Sequence, residues 1–144
     1  MVSETDKAYL AGFVDGEGYV CIITSRSSFQ MEMGVVNTYL SALEELQRLW
    51  GGRIYKKKRS SNTHKQAYVL RWYKEVPSIL IEILPHLKIK REQARLGIQY
   101  ALTGDQRGGG GKKRKVSSTV MEMREQIYTK LREANKRGVN IDAR

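Results

Sequence analysis

The spacing of apolar residues changes repeatedly between a helical and an alternating pattern, and this order is the strongest constraint on the fold. A helix that faces a core repeats apolar residues every three or four positions, and a half-buried strand repeats them every second position. A helical segment followed by two alternating runs occurs twice: a helix to about 16, strands at 19–26 and 29–36, a helix to 50, and strands at 53–59 and 66–73. Further helical segments follow, one of them begun by Pro77.

Strands that come in adjacent pairs are typical of hairpins, and hairpins predict an antiparallel sheet. Such a sheet can pack helices on one face and leave the other face open. The expected fold is therefore an α+β domain with the order αββαββα, in which the helices cover one side of the sheet. One face of the sheet remains available to a partner.

The chain is expected to form one domain over residues 1–144, since this length can bury a core without disulfides. The core is predicted at 5–104, followed by a glycine-rich, basic linker at 105–117. A last helix is predicted at 118–138, where Thr119 and Glu122 have the spacing of a capping box.

The charge balance indicates a polyanionic partner. The chain carries 26 Lys and Arg against 15 Asp and Glu, a formal net charge of +11. A surplus of this size is typical of nucleic-acid-binding proteins, although a merely basic, soluble protein has the same composition. No apolar run has the length of a membrane span or the order of a signal peptide, so a soluble, intracellular protein is expected.

The cysteine and the histidines do not indicate a zinc site. Cys21 is the one cysteine in the chain, and its spacing to His64 and His86 matches no zinc pattern. The two histidines are expected to be surface or structural residues.

The stretch YLAGFVDGEGYV places two carboxylates at the glycine-rich end of an apolar helix. Asp15 and Glu17 would lie beside unpaired helix carbonyls, where negative charge is unfavourable. A hard divalent cation with oxygen ligands would correct this, whereas a solvated pair in a turn is the simpler interpretation. Gly12 and Gly16 lie one helical turn apart, which favours either close packing inside the chain or the approach of a second helix.

Two copies of this helix meeting along the glycine face would bring two Glu17 carboxylates together. Like charges at short distance favour a metal ion or protonation. This geometry requires a second chain.

Leu10 to Gly18, LAGFVDGEG, resembles the signature of the LAGLIDADG homing endonucleases. The following hairpin, the helix around 43–49, the second hairpin and the segment LPHLKIKREQA at 84–94 also fall where that family has counterparts. The resemblance covers residues 5–104. It implies the same α+β fold, with the sheet in the DNA major groove and a two-fold dimer through the motif helices.

The resemblance also implies roles for individual residues. The dimer interface would contain Leu10, Gly12, Phe13 and Gly16. Glu17 and the carbonyl of Gly16 would bind the catalytic metal, expected to be Mg²⁺ with Mn²⁺ or Ca²⁺ as substitutes, and Asp15 would rank second as a ligand. Lys90 would lie near the attacking water or the scissile phosphate, and Asn37 would help to order active-site water.

Strand parity and the family register together predict the residues that face DNA. If Tyr68, Leu70 and Trp72 are buried, the alternate residues of that strand face the groove. The full predicted set is Cys21, Ile23, Ser25, Ser28, Gln30, Glu32, Lys56, Lys58, Lys65, Ala67, Val69 and Arg71. A solvated polar face is the alternative, but it would leave Ile23 and Val69 as isolated apolar residues.

The chain contains one such motif, so the second half-site must come from another chain. The predicted function is site-specific, metal-dependent cleavage of double-stranded DNA by a homodimer at a long, near-palindromic site, leaving 3′ overhangs, as in intron homing. A non-catalytic DNA-binding protein or an intron RNA maturase of the same fold is the alternative, and an unrelated basic protein would require a coincidental motif match. The run KKRKV at 112–116 is interpreted as a phosphate-contacting or disordered linker, although it also resembles a nuclear import signal.

Overall fold

The computed structural model describes residues 2–25, 28–59, 61–62, 65–104 and 117–136. Within these residues, five α-helices and a four-stranded sheet alternate along the chain. Their bounds are α1 Glu4–Glu17, β1 Gly18–Ser25, β2 Ser28–Asn37, α2 Leu40–Trp50, β3 Arg53–Lys56, β4 Tyr68–Trp72, α3 Val76–Ile83, α4 Arg91–Leu102 and α5 Ser118–Lys136. A 3₁₀ turn at Leu84–His86 follows α3.

The sheet is antiparallel throughout, with the strand order β1-β2-β4-β3. The α+β prediction is confirmed, and the two hairpins join through their second strands, with Val35 opposite Leu70. The predicted strands at 53–59 and 66–73 are shorter in the structure, ending at Lys56 and beginning at Tyr68.

The hydrophobic core lies on one face of the sheet. Val20, Met33 and Leu70 are fully buried there, together with Leu10 and Val14 of α1. Because side chains alternate between the two faces of a strand, the residues between these core positions lie on the opposite face, which we call the open face. A second, smaller cluster ties α5 to α4 and β1; its buried residues are Ile22, Leu96, Ile127, Leu131 and Ala134.

The junction between α1 and β1 requires a residue without a side chain. A Cβ atom at Gly18 would lie 2.6 Å from the Cα of Val14 and 3.1 Å from the carbonyl oxygen of Gly34. Gly18 therefore lets β1 start directly beneath the last turn of α1.

Side-chain caps begin two of the helices, and the cap of α5 is Ser117 rather than the predicted Thr119. The N-cap of α1 is Ser3, whose hydroxyl accepts from the Asp6 N–H at 3.1 Å, and the Asp6 carboxylate accepts from the Ser3 N–H at 3.1 Å. This reciprocal pair is a capping box that begins α1 at Glu4. For α5, the Val120 N–H donates to the Ser117 hydroxyl at 3.3 Å, and the predicted end near Gly138 lies outside the described residues.

Candidate active site and nucleic-acid interface

The exposed carboxylate of Glu17 ends α1 and is held by Asn37. The Asn37 side-chain nitrogen donates to Glu17 Oε2 at 2.7 Å. The Asn37 side-chain oxygen accepts from the Tyr39 N–H at 2.7 Å, which turns the amide nitrogen toward Glu17. The structure therefore brings together two of the predicted catalytic residues, one from a helix end and one from the end of β2.

Asp15 binds the segment that starts α4. Its two carboxylate oxygens accept from the main-chain N–H groups of Lys88, Ile89 and Lys90 at 2.8, 3.2 and 2.9 Å. Unpaired N–H groups at a helix start carry partial positive charge, so they stabilise a carboxylate. The negative charge of Asp15 is therefore stabilised by main-chain N–H groups, so it does not require the metal ion that the sequence suggested.

Lys90 completes the same junction from the other side. Its ammonium donates to the carbonyl oxygens of Val14 and Asp15 at 3.0 and 2.9 Å. These carbonyls belong to the last turn of α1, where a cation offsets the negative end of the helix dipole. Burial lowers the pKa of Lys90, and the nearby charge of Asp15 opposes that shift.

The glycine face of α1 has no neighbour in the described part of the chain. A Cβ atom added at Gly12 or at Gly16 would have no heavy atom within 4 Å. Beside Gly12, the ring of Tyr9 is 54% exposed and lies 5.6 Å from the ring of Phe13. Packing inside the chain therefore does not explain the two glycines.

Leu10 corrects one interface prediction. It is fully buried in the core of the single chain, on the side of α1 that faces the sheet. Tyr9 lies on the glycine face instead, at the three-residue spacing to Gly12 that could have identified it from the sequence.

Several of the predicted DNA-facing residues lie on the open face. Ile23 is 39% exposed, Ser28 and Gln30 are exposed, and Cys21 is half-buried. Ser25 ends β1 and pairs with Ser28. Lys65 and Ala67 precede β4; Lys65 is exposed and Ala67 is half-buried.

Glu32 and Val69 lie on the open face, but both are buried, whereas the prediction required them to be accessible to DNA. Glu32 is 8% exposed and Val69 is 3% exposed. Arg71 forms an ion pair with Glu32 at 3.7 Å, and Cys21 Sγ lies 3.8 Å from Glu32 Oε2. Their positions on the inner strands β2 and β4, surrounded by neighbouring side chains, explain the burial.

The register of β3 overturns the prediction for Lys56. Lys56 pairs with Tyr68 and Ile54 pairs with Leu70, so these residues share the helix-covered face. Lys56 is exposed there at the end of an edge strand, and Lys58 lies beyond the strand. Arg53 and Tyr55, which were not predicted, occupy the open face of β3, and their alternation with Ile54 was the available signal.

Metal-binding side chains are not clustered within the described parts of one chain. No group of three or more His, Cys, Asp or Glu residues suited to a metal ion occurs there. His86 lies 3.0 Å from a carboxylate oxygen of Glu4, and His64 lies outside the described residues.

The fold and this helix end define an α+β domain built around one acidic, glycine-lined motif helix. The family model for LAGLIDADG endonucleases matches residues 10–100. The chain belongs to the LAGLIDADG endonuclease family.

Three solved structures illustrate the likeness in fold. The homing endonuclease I-CvuI, in complex with its target in the presence of Ca, is 22% identical with a TM-score of 0.58, over 86% of this chain and 95% of that chain. The archaeal intron-encoded homing endonuclease I-Vdi141I, complexed with DNA, is 16% identical with a TM-score of 0.69, over 91% and 84%. I-SmaMI, bound to uncleaved DNA with calcium ions, is 16% identical with a TM-score of 0.67, over 88% of this chain and 45% of that chain.

No curated protein sequence matches the chain. Among the helices of the described residues, none combines the length and the apolarity needed to cross a membrane.

Proposed function

We propose that this chain acts as a homodimeric, metal-dependent, site-specific endonuclease that cuts double-stranded DNA and leaves short 3′ overhangs. The observation that carries the proposal is the exposed Glu17 carboxylate at the end of a helix whose glycine face has no neighbour in the described chain. Membership of the LAGLIDADG endonuclease family supports the same reaction.

The glycine face supports a homodimer. Gly12 and Gly16 leave space for a second main chain, and the exposed ring of Tyr9 adds apolar surface beside them. A two-fold axis along this face would place the two Glu17 carboxylates at the same end of the interface. Their mutual repulsion would favour a bound cation.

The residues at this helix end suit a hard divalent ion. The Glu17 carboxylate and the terminal carbonyls of α1, including that of Gly16, offer oxygen ligands of the kind that Mg²⁺ prefers. When bound, such an ion supplies charge neutralisation and an activated water for phosphodiester hydrolysis.

The chain's own residues orient this site. Asn37 holds the Glu17 carboxylate through its side-chain nitrogen. From the same position Asn37 would help to order active-site water. Lys90 places a positive charge at the same helix end, where the phosphate of DNA would lie. The three hydrogen bonds of Asp15 favour a positioning role for Asp15, since they keep Lys90 against α1.

The open face of the sheet is the proposed DNA-binding surface. A strand advances about 3.3 Å per residue, close to the rise of about 3.4 Å per base pair along a DNA strand. Strands of eight and ten residues, β1 and β2, can therefore follow a groove over much of a half-site. The net charge of +11 favours this contact with phosphate, and I-Vdi141I and I-SmaMI, which share this fold, have been solved in complex with DNA.

The test is cleavage of a randomised duplex library by the purified chain, with Mg²⁺ in one arm and EDTA in the other, followed by sequencing of the ends. The expected result is Mg²⁺-dependent ends with 3′ overhangs at one near-palindromic site. Specific retention of DNA without cutting in either arm would contradict the endonuclease and favour a binding protein or maturase.

A further inference from the structure

A polar cluster built around the buried carboxylate of Glu32 lies in the middle of the open face. It consists of Tyr19, Cys21, Glu32, Arg71 and Tyr73, and we call it the Glu32 cluster. Glu32 pairs with Cys21 across β1 and β2, and Arg71 lies opposite Gly34 on the neighbouring strand. Since Gly34 has no side chain, the ring of Tyr19 lies over it, with the Tyr19 hydroxyl 2.5 Å from where a Cβ atom would be.

Glu32 is the acceptor at the centre of this cluster. The thiol of Cys21 lies 3.8 Å from Glu32 Oε2. Burial, followed by the nearby charge of Glu32, raises the pKa of Tyr19, and interaction with Glu32 raises the pKa of Tyr73. The main attraction comes from Arg71, whose Nε lies 3.7 Å from Glu32 Oε1. A carboxylate that is almost fully buried is costly unless it is paired and hydrogen-bonded, so these contacts are mutually dependent.

Arg71 is held on several sides but remains partly accessible. Its guanidinium carbon lies 5.2 Å from the centre of the Tyr55 ring, and its charge lies near enough to Tyr19 to oppose the rise in the pKa of that hydroxyl. The Nε atom is buried and has no hydrogen-bond partner among the described residues, so its interaction with Glu32 is an ion pair, while 38% of the side chain is exposed. Because these contacts hold the planar guanidinium of Arg71, its accessible part points outward in one orientation.

An arginine in a fixed orientation reads bases differently from a mobile one. A guanidinium can donate two parallel hydrogen bonds to guanine, and such a pair discriminates against other bases only when its geometry is maintained. Supporting contacts that hold the side chain determine this geometry. A mobile arginine would still contribute positive charge, and therefore affinity, without selecting a base.

We propose that Glu32 is a positioning residue for DNA sequence reading: it holds Arg71 so that Arg71 selects guanine at one position of each half-site. Glu32 itself does not contact a base. This inference rests on the proposed DNA-binding function and names the residue pair that determines one base of the target.

The test compares base preferences of variants on a randomised duplex library. Bound duplexes are recovered with Ca²⁺ in the buffer and sequenced for the wild type, Glu32→Gln, Arg71→Ala and Arg71→Lys. Glu45→Gln is the matched control, because Glu45 forms an ion pair with Arg48 on the exposed surface of α2, away from the open face. Circular dichroism establishes that each variant is folded, and Arg71→Lys keeps the charge without the two-pronged donor.

The expected wild-type profile contains a symmetric pair of guanine positions with a preference of roughly five- to 150-fold over other bases. Glu32→Gln and both Arg71 variants should lose that preference at the same pair of positions and keep the remaining profile, whereas Glu45→Gln should match the wild type. The combination Glu32→Gln with Arg71→Ala should lose no more than Arg71→Ala alone.

Two results would count against the inference, and they are distinguishable. A wild-type library without any enriched sequence would overturn the proposed function itself. An enriched site whose guanine preference survives Glu32→Gln, or is lost at positions other than those affected by Arg71→Ala, would overturn the positioning role alone.

Discussion

Asp15, in the last turn of α1, stabilises the start of α4, and Lys90, at the start of α4, stabilises the end of α1. The Asp15 carboxylate accepts from the Lys90 N–H at the start of α4, while the Lys90 ammonium donates to the Asp15 carbonyl at the end of α1. Each helix end thus receives the charge that its dipole favours. This exchange joins the segment 88–90 to the helix that carries Glu17.

Replacing Asp15 with alanine should destabilise the chain. The N–H groups of Lys88, Ile89 and Lys90 would lose their charged acceptor, and a hydrogen bond to a charged group contributes about 1.5–3 kcal/mol. We expect a fall of about 2 kcal/mol in the free energy of unfolding, measured by urea denaturation. Asp15→Asn should lose less, and Glu133→Ala, which removes a surface ion pair with Lys136, should change little. Equal stability of Asp15→Ala and the wild type would show that water replaces the carboxylate.

Glu17→Gln should abolish cleavage and preserve DNA binding. The substitution removes the exposed charge and retains the side-chain shape, so charge stabilisation worth several kcal/mol is lost and the cutting rate should fall at least about a hundredfold. Gel-based cleavage with Mg²⁺ and binding titration on the selected site give the two readouts. Glu82→Gln, an exposed glutamate on α3, is the control. Continued cutting by Glu17→Gln would exclude Glu17 as a metal ligand.

Gly12→Leu should separate association from folding. The glycine has open space around it in the described chain, so leucine should fold, but it would occupy the surface that a second chain needs. Sedimentation should change from dimer to monomer, and cleavage should be lost. Gly97→Ala is the opposite control, since its Cβ would lie 2.7 Å from Leu80 Cδ1 and should lower stability without changing association. A wild-type chain that sediments as a monomer on its cut site would contradict the two-fold dimer.

Alkylation of Cys21 should report the charge of Glu32. Burial, followed by the nearby Glu32 charge, raises the pKa of the Cys21 thiol to about 11 from 9.0. The iodoacetamide rate of the folded chain should therefore rise with a midpoint near pH 11, and Glu32→Gln should lower that midpoint. In concentrated urea the wild type and the variant should titrate alike. Equal midpoints of the two folded proteins would remove Glu32 from the surroundings of the thiol.

The same groups predict a loss of stability at alkaline pH. Burial also raises the pKa of Tyr19 to about 12 from 10.0. Because the folded chain binds these protons more tightly than the unfolded chain, their contribution is complete below the unfolded values and is lost as pH rises through about 11 and about 12. Thermal unfolding across this range should show a decline that is smaller for Glu32→Gln.

Much of the fold follows from local pattern, because apolar periodicity identifies the core side of each helix and strand. Met31, Met33 and Val35 occupy every second position of the predicted strand at 29–36, and all three are buried in the core. The lengths of turns and strands were harder to predict, since β3 already ends at Lys56. The register of β3 depends on pairing with β4, which begins twelve residues later. A face assignment transferred from the family was therefore wrong for Lys56.

The burial of Glu32 and the contacts of Asp15 could not be read from the sequence for a related reason. Each depends on a partner far along the chain, Arg71 in one case and the segment 88–90 in the other. An acidic residue in an alternating strand looks solvent-exposed until the neighbouring strand is known. Glu17 and Asn37, twenty residues apart, came together as the family resemblance implied.

The strand order has a consequence for how such a protein can acquire new targets during evolution. The outer strand β1 presents Ile23 as an exposed side chain that pairs with Gln30 outside the Glu32 cluster, so Ile23 can mutate alone. The inner strands hold residues that depend on one another, and a change at Glu32 alters the setting of Arg71. Evolutionary change in the recognised DNA sequence should therefore begin with residues at the periphery of the sheet. Residues at the centre of the sheet should change only through compensating pairs of mutations.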